Sequence, residues 1–187
     1  MCFSFEVSLV TGVLSWCIGI AVILRCPSLR GDAVHLLVFS SMQFADAALW
    51  KSNFEENALN GTTTSVVVPS LLSAQLFLNA WRSRDTSWGL PLATASLVYS
   101  STLFWRLRGR YSRAACGPFG SPVWGNTEIS RRDLWAFVLL VTLPDWRWAL
   151  GGIVFVEVVQ RVFCGGYGSM WCALACVCAV ALAARCA

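Results

Sequence analysis

The sequence predicts an all-α fold, an integral membrane helical bundle with seven transmembrane helices in one polytopic domain over 1–187. Three observations carry that expectation. Of the 187 residues, 57% are hydrophobic and 13% charged, whereas a soluble domain carries about 25% charged residues. So little charge cannot coat a water-facing surface. The 10 Trp and 11 Phe exclude a disordered chain, which is poor in aromatics. Apolar runs near the ~20 residues needed to cross hydrocarbon recur along the chain. They end in Trp and Arg or Lys, side chains that settle at headgroup level.

The first run is Val7 to Leu24, closed by Arg25 and Arg30. Glu6 before it and Ile23-Leu24-Arg25 after it do not fit the basic start and small-residue cleavage site of a signal peptide, so it reads as a retained helix. Ala33 to Trp50 is the second run, closed by Lys51. Val66 to Trp81 is the third, and Trp88 to Trp105 the fourth. A long polar loop, 106–133, follows. Leu134 to Leu143 is too short to span alone, and Pro144 interrupts it by removing a backbone donor. A short fifth helix over 131–143 then turns at 144–147 into a sixth, Trp148 to Phe163. Gly168 to Ala184 makes the seventh. The alternative is one kinked helix over 134–163 and six spans. The runs are near the lower length limit, which points weakly to a thin bilayer such as that of the endoplasmic reticulum.

Small residues recur at i, i+4: Ser8 and Gly12, Ser15 and Gly19, Ser70 and Ala74, then Ala175, Ala179 and Ala183. Such faces let helix backbones approach closely in lipid. Internal bundle packing is the first use for them, and a homo-oligomer is the other.

Polar groups within spans are costly, and an ionisable one is a functional hypothesis by default. The second helix places His35, Phe39, Met42, Gln43, Asp46 and Trp50 along one stripe, at about 100° per residue. The third carries Gln75 and Asn79, and the sixth carries Glu157 and Gln160. Each has a structural alternative. His35 suits an interfacial position near Asp32. Asp46 is within snorkelling reach of Lys51, and Glu157 precedes Arg161 by four residues, the favourable order for a helical ion pair. The glutamines can bond across helices. Alternating the seven helices gathers the long loops and these polar groups at one face, with only short turns at the other. A pocket opening to the loop-bearing face is the expected result, with Gln43, Asp46, Gln75, Glu157 and Gln160 as candidate ligand-binding residues.

Orientation stays open. Basic residues mark both faces, and Asn60-Gly61-Thr62 is a glycosylation acceptor sequence in a loop. Arg25 and Arg30 after the first helix favour an outside N-terminus, whereas the Arg cluster at 106, 108, 110 and 113 argues the other way. In the cytosol that cluster would meet anionic lipid headgroups.

The nine cysteines include no C-x-x-C pair, and His35 is the single histidine. Zinc spacing is therefore missing, and no metal or cofactor is expected. Several cysteines fall in apolar runs, where Cys behaves as a small hydrophobe. Spacing leaves their pairing and redox compartment open. The formal charge of +4 comes without a nucleic-acid motif, so the expected partner is the bilayer and not nucleic acid.

Four short motifs, in order, resemble a family of largely uncharacterised multi-pass membrane proteins of about seven helices, found in bacteria, protists and giant viruses. They are Met1-Cys2-Phe3-Ser4 followed by Ser8; Gln43, Asp46 and Trp50; the Gly-rich loop from Cys116-Gly117-Pro118 to Trp124; and Gly168-Ser169-Met170-Trp171-Cys172. Two departures stand out. Ser121-Pro122-Val123-Trp124 replaces the family's His-Leu-x-Trp, and Leu76 stands where Pro often follows the helix 3 glutamine. The resemblance implies architecture and supplies no activity.

Three function classes follow. One is a protein binding or transporting a small polar or ionic solute through an intramembrane pocket, with Asp46 and Glu157 as its ionisable pair. Another is a structural or assembly protein of the membrane with no solute. The third, a lipid-modifying enzyme, has only Cys2 or Cys172 as a nucleophile and no base or metal cluster beside it, so no catalytic residue is assigned.

Overall fold

The computed structural model describes residues 4–115, 122–126, 129–163 and 167–187, the side chains of 160, 162, 163 and 167–173 excepted. The fold is all-α with one small hairpin. Helix α1 is Phe5–Arg25, α2 is Arg30–Lys51, α3 is Ala58–Arg82 and α4 is Gly89–Leu107. Then come a two-stranded antiparallel hairpin, β1 (Arg113–Ala114) with β2 (Pro122–Val123), and three more helices. These are α5 (Arg131–Thr142), α6 (Trp146–Phe163) and α7 (Tyr167–Cys186). Three helical stretches, Phe5–Arg25, Pro27–Lys51 and Ala58–Arg82, are long and apolar enough to cross a membrane among the described residues.

Local chemistry sets the ends. Ser4 caps α1, its hydroxyl accepting from the Val7 N–H. In α3 a π turn, Thr63–Val67, lies just before Pro69, whose missing N–H cannot donate within the helix. Ser130 and Asp133 form a capping box at the start of α5. Thr142 ends α5, and the chain turns at Pro144 before α6 begins, so two helices and not one kinked helix occupy this segment. Twelve residues make α5 about 18 Å long, well short of a hydrocarbon core of about 30 Å.

Side-chain contacts orient the helices. Asn79, late in α3, donates to the carbonyls of Leu140 and Leu143 at the end of α5. Arg106, late in α4, pairs with Asp133 at the start of α5, at 2.7 Å. Trp135, early in α5, reaches Glu157, late in α6. At the opposite end, Asp32 takes Arg82 of α3 at 2.6 Å and Arg185 of α7 at 3.4 Å. A disulfide joins Cys26, just past α1, to Cys186, the last residue of α7. Helices α1 and α7 therefore end at the same face and run parallel.

Helix α2 lies at the centre, shared by two apolar clusters. One joins Leu36 and Phe39 of α2 to Val22 of α1 and to Ala175, Ala179 and Leu182 of α7. The other joins Met42, Ala45 and Leu49 to Leu72 and Leu76 of α3, Leu103 of α4, Phe137 and Val138 of α5, and Trp124 beyond β2. The buried residues of α1 are Ser8, Gly12, Ser15, Gly19 and Val22. A Cβ on Gly12 would stand 2.9 Å from Phe44 Cε1, and one on Gly19 would stand 2.7 Å from Leu37 Cδ2. The small-residue stripe of α1 is thus the surface on which α2 sits. Ala175 and Ala179 of α7 are likewise buried inside, whereas Ser70 of α3 is exposed.

The outward surface is apolar. Val10, Leu14 and Leu24 of α1, Leu90, Val98 and Trp105 of α4, Val154 and Val158 of α6 and Val180 of α7 all stand exposed. Soluble monomers rarely expose contiguous apolar patches beyond a few hundred Å².

Candidate polar site

The polar stripe of α2 faces inward. Gln43 and Asp46 are both fully buried, as are Met42 and Leu49 beside them. Trp124 Nε1 donates to Asp46 Oδ1 at 2.8 Å, so the acid of the second-helix motif and the residue that ends the Gly-rich loop are bonded partners. Gln43 Nε2 points to the Cys176 sulfur of α7 at 3.7 Å, and Ser15 Oγ of α1 approaches the same sulfur at 3.8 Å. A polar centre built on Asp46, Gln43, Ser15, Cys176 and Trp124 therefore joins α1, α2, α7 and the loop.

A second polar cluster holds the loop down. Asn60 is fully buried at the start of α3. Its Oδ1 accepts from the Thr64 hydroxyl and the Ser112 N–H, and its Nδ2 donates to the carbonyls of Glu55 and Ser112. The hydroxyls of Thr64 and Ser112 are 2.7 Å apart, and Ser112 Oγ accepts from the Gly125 N–H. Gly125 has φ of 64°, a conformation glycine adopts without strain. It turns the chain directly after Trp124 and so fixes how that indole enters the bundle.

Glu157 is held by α5. Its carboxylate accepts from Trp135 Nε1 at 3.0 Å and faces Arg131 at 3.5 Å, both on α5. Sequence spacing suggested Arg161 for Glu157 and Lys51 for Asp46; the tertiary partners are Arg131 with Trp135, and Trp124. The two acids are thus held by different elements, Glu157 by α5 and Asp46 by the residue beyond β2. Gln75 is fully buried on α3, its Nε2 returning to the Leu71 carbonyl and its Oε1 without a hydrogen-bond partner among the described residues. His35 is half-buried one turn from Asp32, and its Nδ1 also has no such partner.

The family-motif residues that are described divide by role. Ser4 caps α1, and buried Ser8 donates its hydroxyl to the Ser4 carbonyl. Trp50 stacks edge-on to Phe54, ring centres 5.1 Å apart. Cys2, the loop from Cys116 to Ser121, and the side chains of Gln160, Ser169, Trp171 and Cys172 lie outside the described residues. No group of three or more metal-ligating side chains forms among the described residues.

Sequence reasoning missed Ser112, Cys176, the structural role of Asn60, which it read as a glycosylation acceptor, and the partners of Glu157. One local signal was present: Ser130-Arg131-Arg132-Asp133 is a capping pattern, and it places Asp133 where Arg106 can reach it. The Cys26–Cys186 bridge also had a signal, since both cysteines sit at helix ends and not inside an apolar run.

No protein-family description matches this chain, and no curated protein or solved structure matches it either.

Proposed function

We propose that this chain is a multi-pass integral membrane protein that uses its seven helices as one bundle and binds a small polar or ionic solute at Asp46. The membrane reading is supported by three helical stretches long and apolar enough to cross and by the exposed apolar faces of α1, α4, α6 and α7. The observation that carries the solute reading is a carboxylate with no exposed surface, on one of those stretches, flanked by Gln43 and touched by Trp124. Burying an ionised carboxylate in an apolar bundle is costly. A cation or a protonated solute beside it lowers that cost, which is why intramembrane acids mark ion and proton paths. Glu157, engaged on α5, drops out of the site, and Gln43 remains as the orienting amide.

The experiment is solute and proton flux in vesicles holding the purified protein. Asp46→Asn is expected to abolish pH-dependent flux, and Glu157→Gln to leave it. No flux or binding by the parent protein, or flux unchanged in Asp46→Asn, overturns the proposal.

A structural or assembly role is the second reading. It is favoured by the way Asn60, Asp133 and Glu157 are spent on tying loop and helix ends together. Under it, Asp46→Asn changes stability alone.

A further inference from the structure

The disulfide joins Cys26 and Cys186 across 160 residues of sequence, their Cα atoms 5.9 Å apart, at the face that holds the short turns. Disulfides persist in oxidising compartments and are rare in the cytosol. That face therefore points to a lumen, periplasm or exterior, and the loop-bearing face with Ser4 and the hairpin points to the cytosol. The acceptor sequence at Asn60 does not oppose this, because the Asn60 amide is buried and fully used. Basic residues at 106–113 and 131–132 then fall on the cytosolic side, while Arg25, Arg30, Arg82 and Arg84 fall on the other, so the disulfide and not the charge count sets this orientation.

At the cytosolic face α4 ends in an exposed aromatic followed by exposed arginines. Trp105 is 77% exposed and Tyr111 is 37% exposed. Arg106 is engaged by Asp133 at 2.7 Å, and Arg108 and Arg113 are exposed beyond it. A tryptophan at the end of an apolar helix settles at headgroup depth, which puts the next residues at the phosphates. The cytosolic leaflet carries the anionic lipids, and guanidinium pairs with phosphate through two parallel hydrogen bonds.

We propose that Arg108 and Arg113, set beside Trp105 and Tyr111, dock the anionic phospholipid headgroups of the cytosolic leaflet. The inference rests on the membrane-spanning reading above.

The test uses the full chain reconstituted in nanodiscs of phosphatidylcholine with phosphatidylserine, with retained lipid read by native mass spectrometry. The parent is expected to retain phosphatidylserine in several-fold excess over its share of the bilayer. The double variant Arg108→Gln, Arg113→Gln is expected to lose that excess, and Arg84→Gln, at the opposite face, to keep it. The proposal is overturned by no excess in the parent or by excess surviving in the double variant. Displacement of the lipid by inorganic phosphate also overturns it, in favour of a soluble anion. Failure of the protein to enter nanodiscs would instead defeat the membrane reading itself. Sidedness is checked separately by alkylating thiols before cell lysis. A Cys26–Cys186 bridge is expected in the trapped protein, and free thiols at both positions would reverse the orientation.

Discussion

Trp124 donates its indole N–H to the buried carboxylate of Asp46 at 2.8 Å, across 78 residues of sequence. The bond fastens the hairpin to the central helix of the bundle. It also brings together two residues that the sequence marks for unconnected reasons. Replacing Trp124 by Phe keeps the ring among Met42, Ala45 and Leu49 and removes the donor. A hydrogen bond to a charged group contributes about 1.5–3 kcal/mol. The expected result is a lower thermal midpoint in detergent. The same change made in an Asp46→Asn background should cost less, since the charge that needs the donor is gone. Equal costs in both backgrounds would show that the ring and not the hydrogen bond matters.

The glycines of α1 separate contact from composition. Gly12→Leu and Gly19→Leu must displace Phe44 and Leu37, which stand 2.9 and 2.7 Å from the first added atom, and overpacking of this kind costs about 1–3 kcal/mol or more. A methyl added at Gly31 or Gly151 meets nothing within 4 Å, and both residues are helical. Gly31→Ala and Gly151→Ala should be neutral or slightly stabilising, by roughly 0.4–1 kcal/mol. Thermal unfolding of the four variants checks the contrast, and a loss at Gly31 equal to that at Gly12 would contradict it.

What could be read from the sequence is local and periodic. Helix ends were visible because Trp and Arg collect there, as at Trp81-Arg82 and Trp105-Arg106. The inward stripe of α2 was visible because Phe39, Met42, Gln43 and Asp46 repeat at the helical period, and the small face of α1 for the same reason. Partners were not visible. Spacing offered Glu157 its neighbour Arg161 and Asp46 its neighbour Lys51, yet both acids are taken by groups from other elements, Trp135 and Trp124. Periodicity states which side of a helix is buried, and it carries no information on what comes to meet that side. The Cys26–Cys186 bridge escaped for the same reason, being a contact between the first helix and the last.

Asp133 supplies a pH test outside the apolar stretches. Burial raises its carboxyl, but the hydroxyl and N–H of Ser130 and the Arg106 guanidinium outweigh that and hold it below its ordinary value of 3.8. A carboxyl depressed on folding adds stability above its unfolded value and loses it as pH falls through the folded one. The junction of α4 with α5 should therefore weaken only in acid, below the ordinary carboxylate range. Asp133→Asn should be less stable at neutral pH and show a flatter acid limb. Thermal midpoints of parent and variant between neutral pH and strong acid would converge if this holds, and a constant gap would refute it.

Asn60 tests whether an acceptor sequence can be a structural residue instead. Its side chain has no exposed surface and makes four hydrogen bonds, to Thr64, Glu55 and both backbone groups of Ser112. A glycan on Nδ2 would take over a position donating to two carbonyls and would have no room inside the fold. The protein expressed in a glycosylating cell is therefore expected at its unmodified mass, and Thr62→Ala, which destroys the acceptor sequence, should alter neither glycosylation state nor stability because Thr62 is exposed. Asn60→Ala should behave oppositely. It leaves the buried Ser112 N–H and carbonyl without their partner, at about 1–3 kcal/mol for each group so abandoned, and it frees the segment that carries Trp124. Proteolysis of the 106–133 loop should accelerate in Asn60→Ala and not in Thr62→Ala. A glycan found on Asn60 in folded protein would mean that this cluster does not hold the loop.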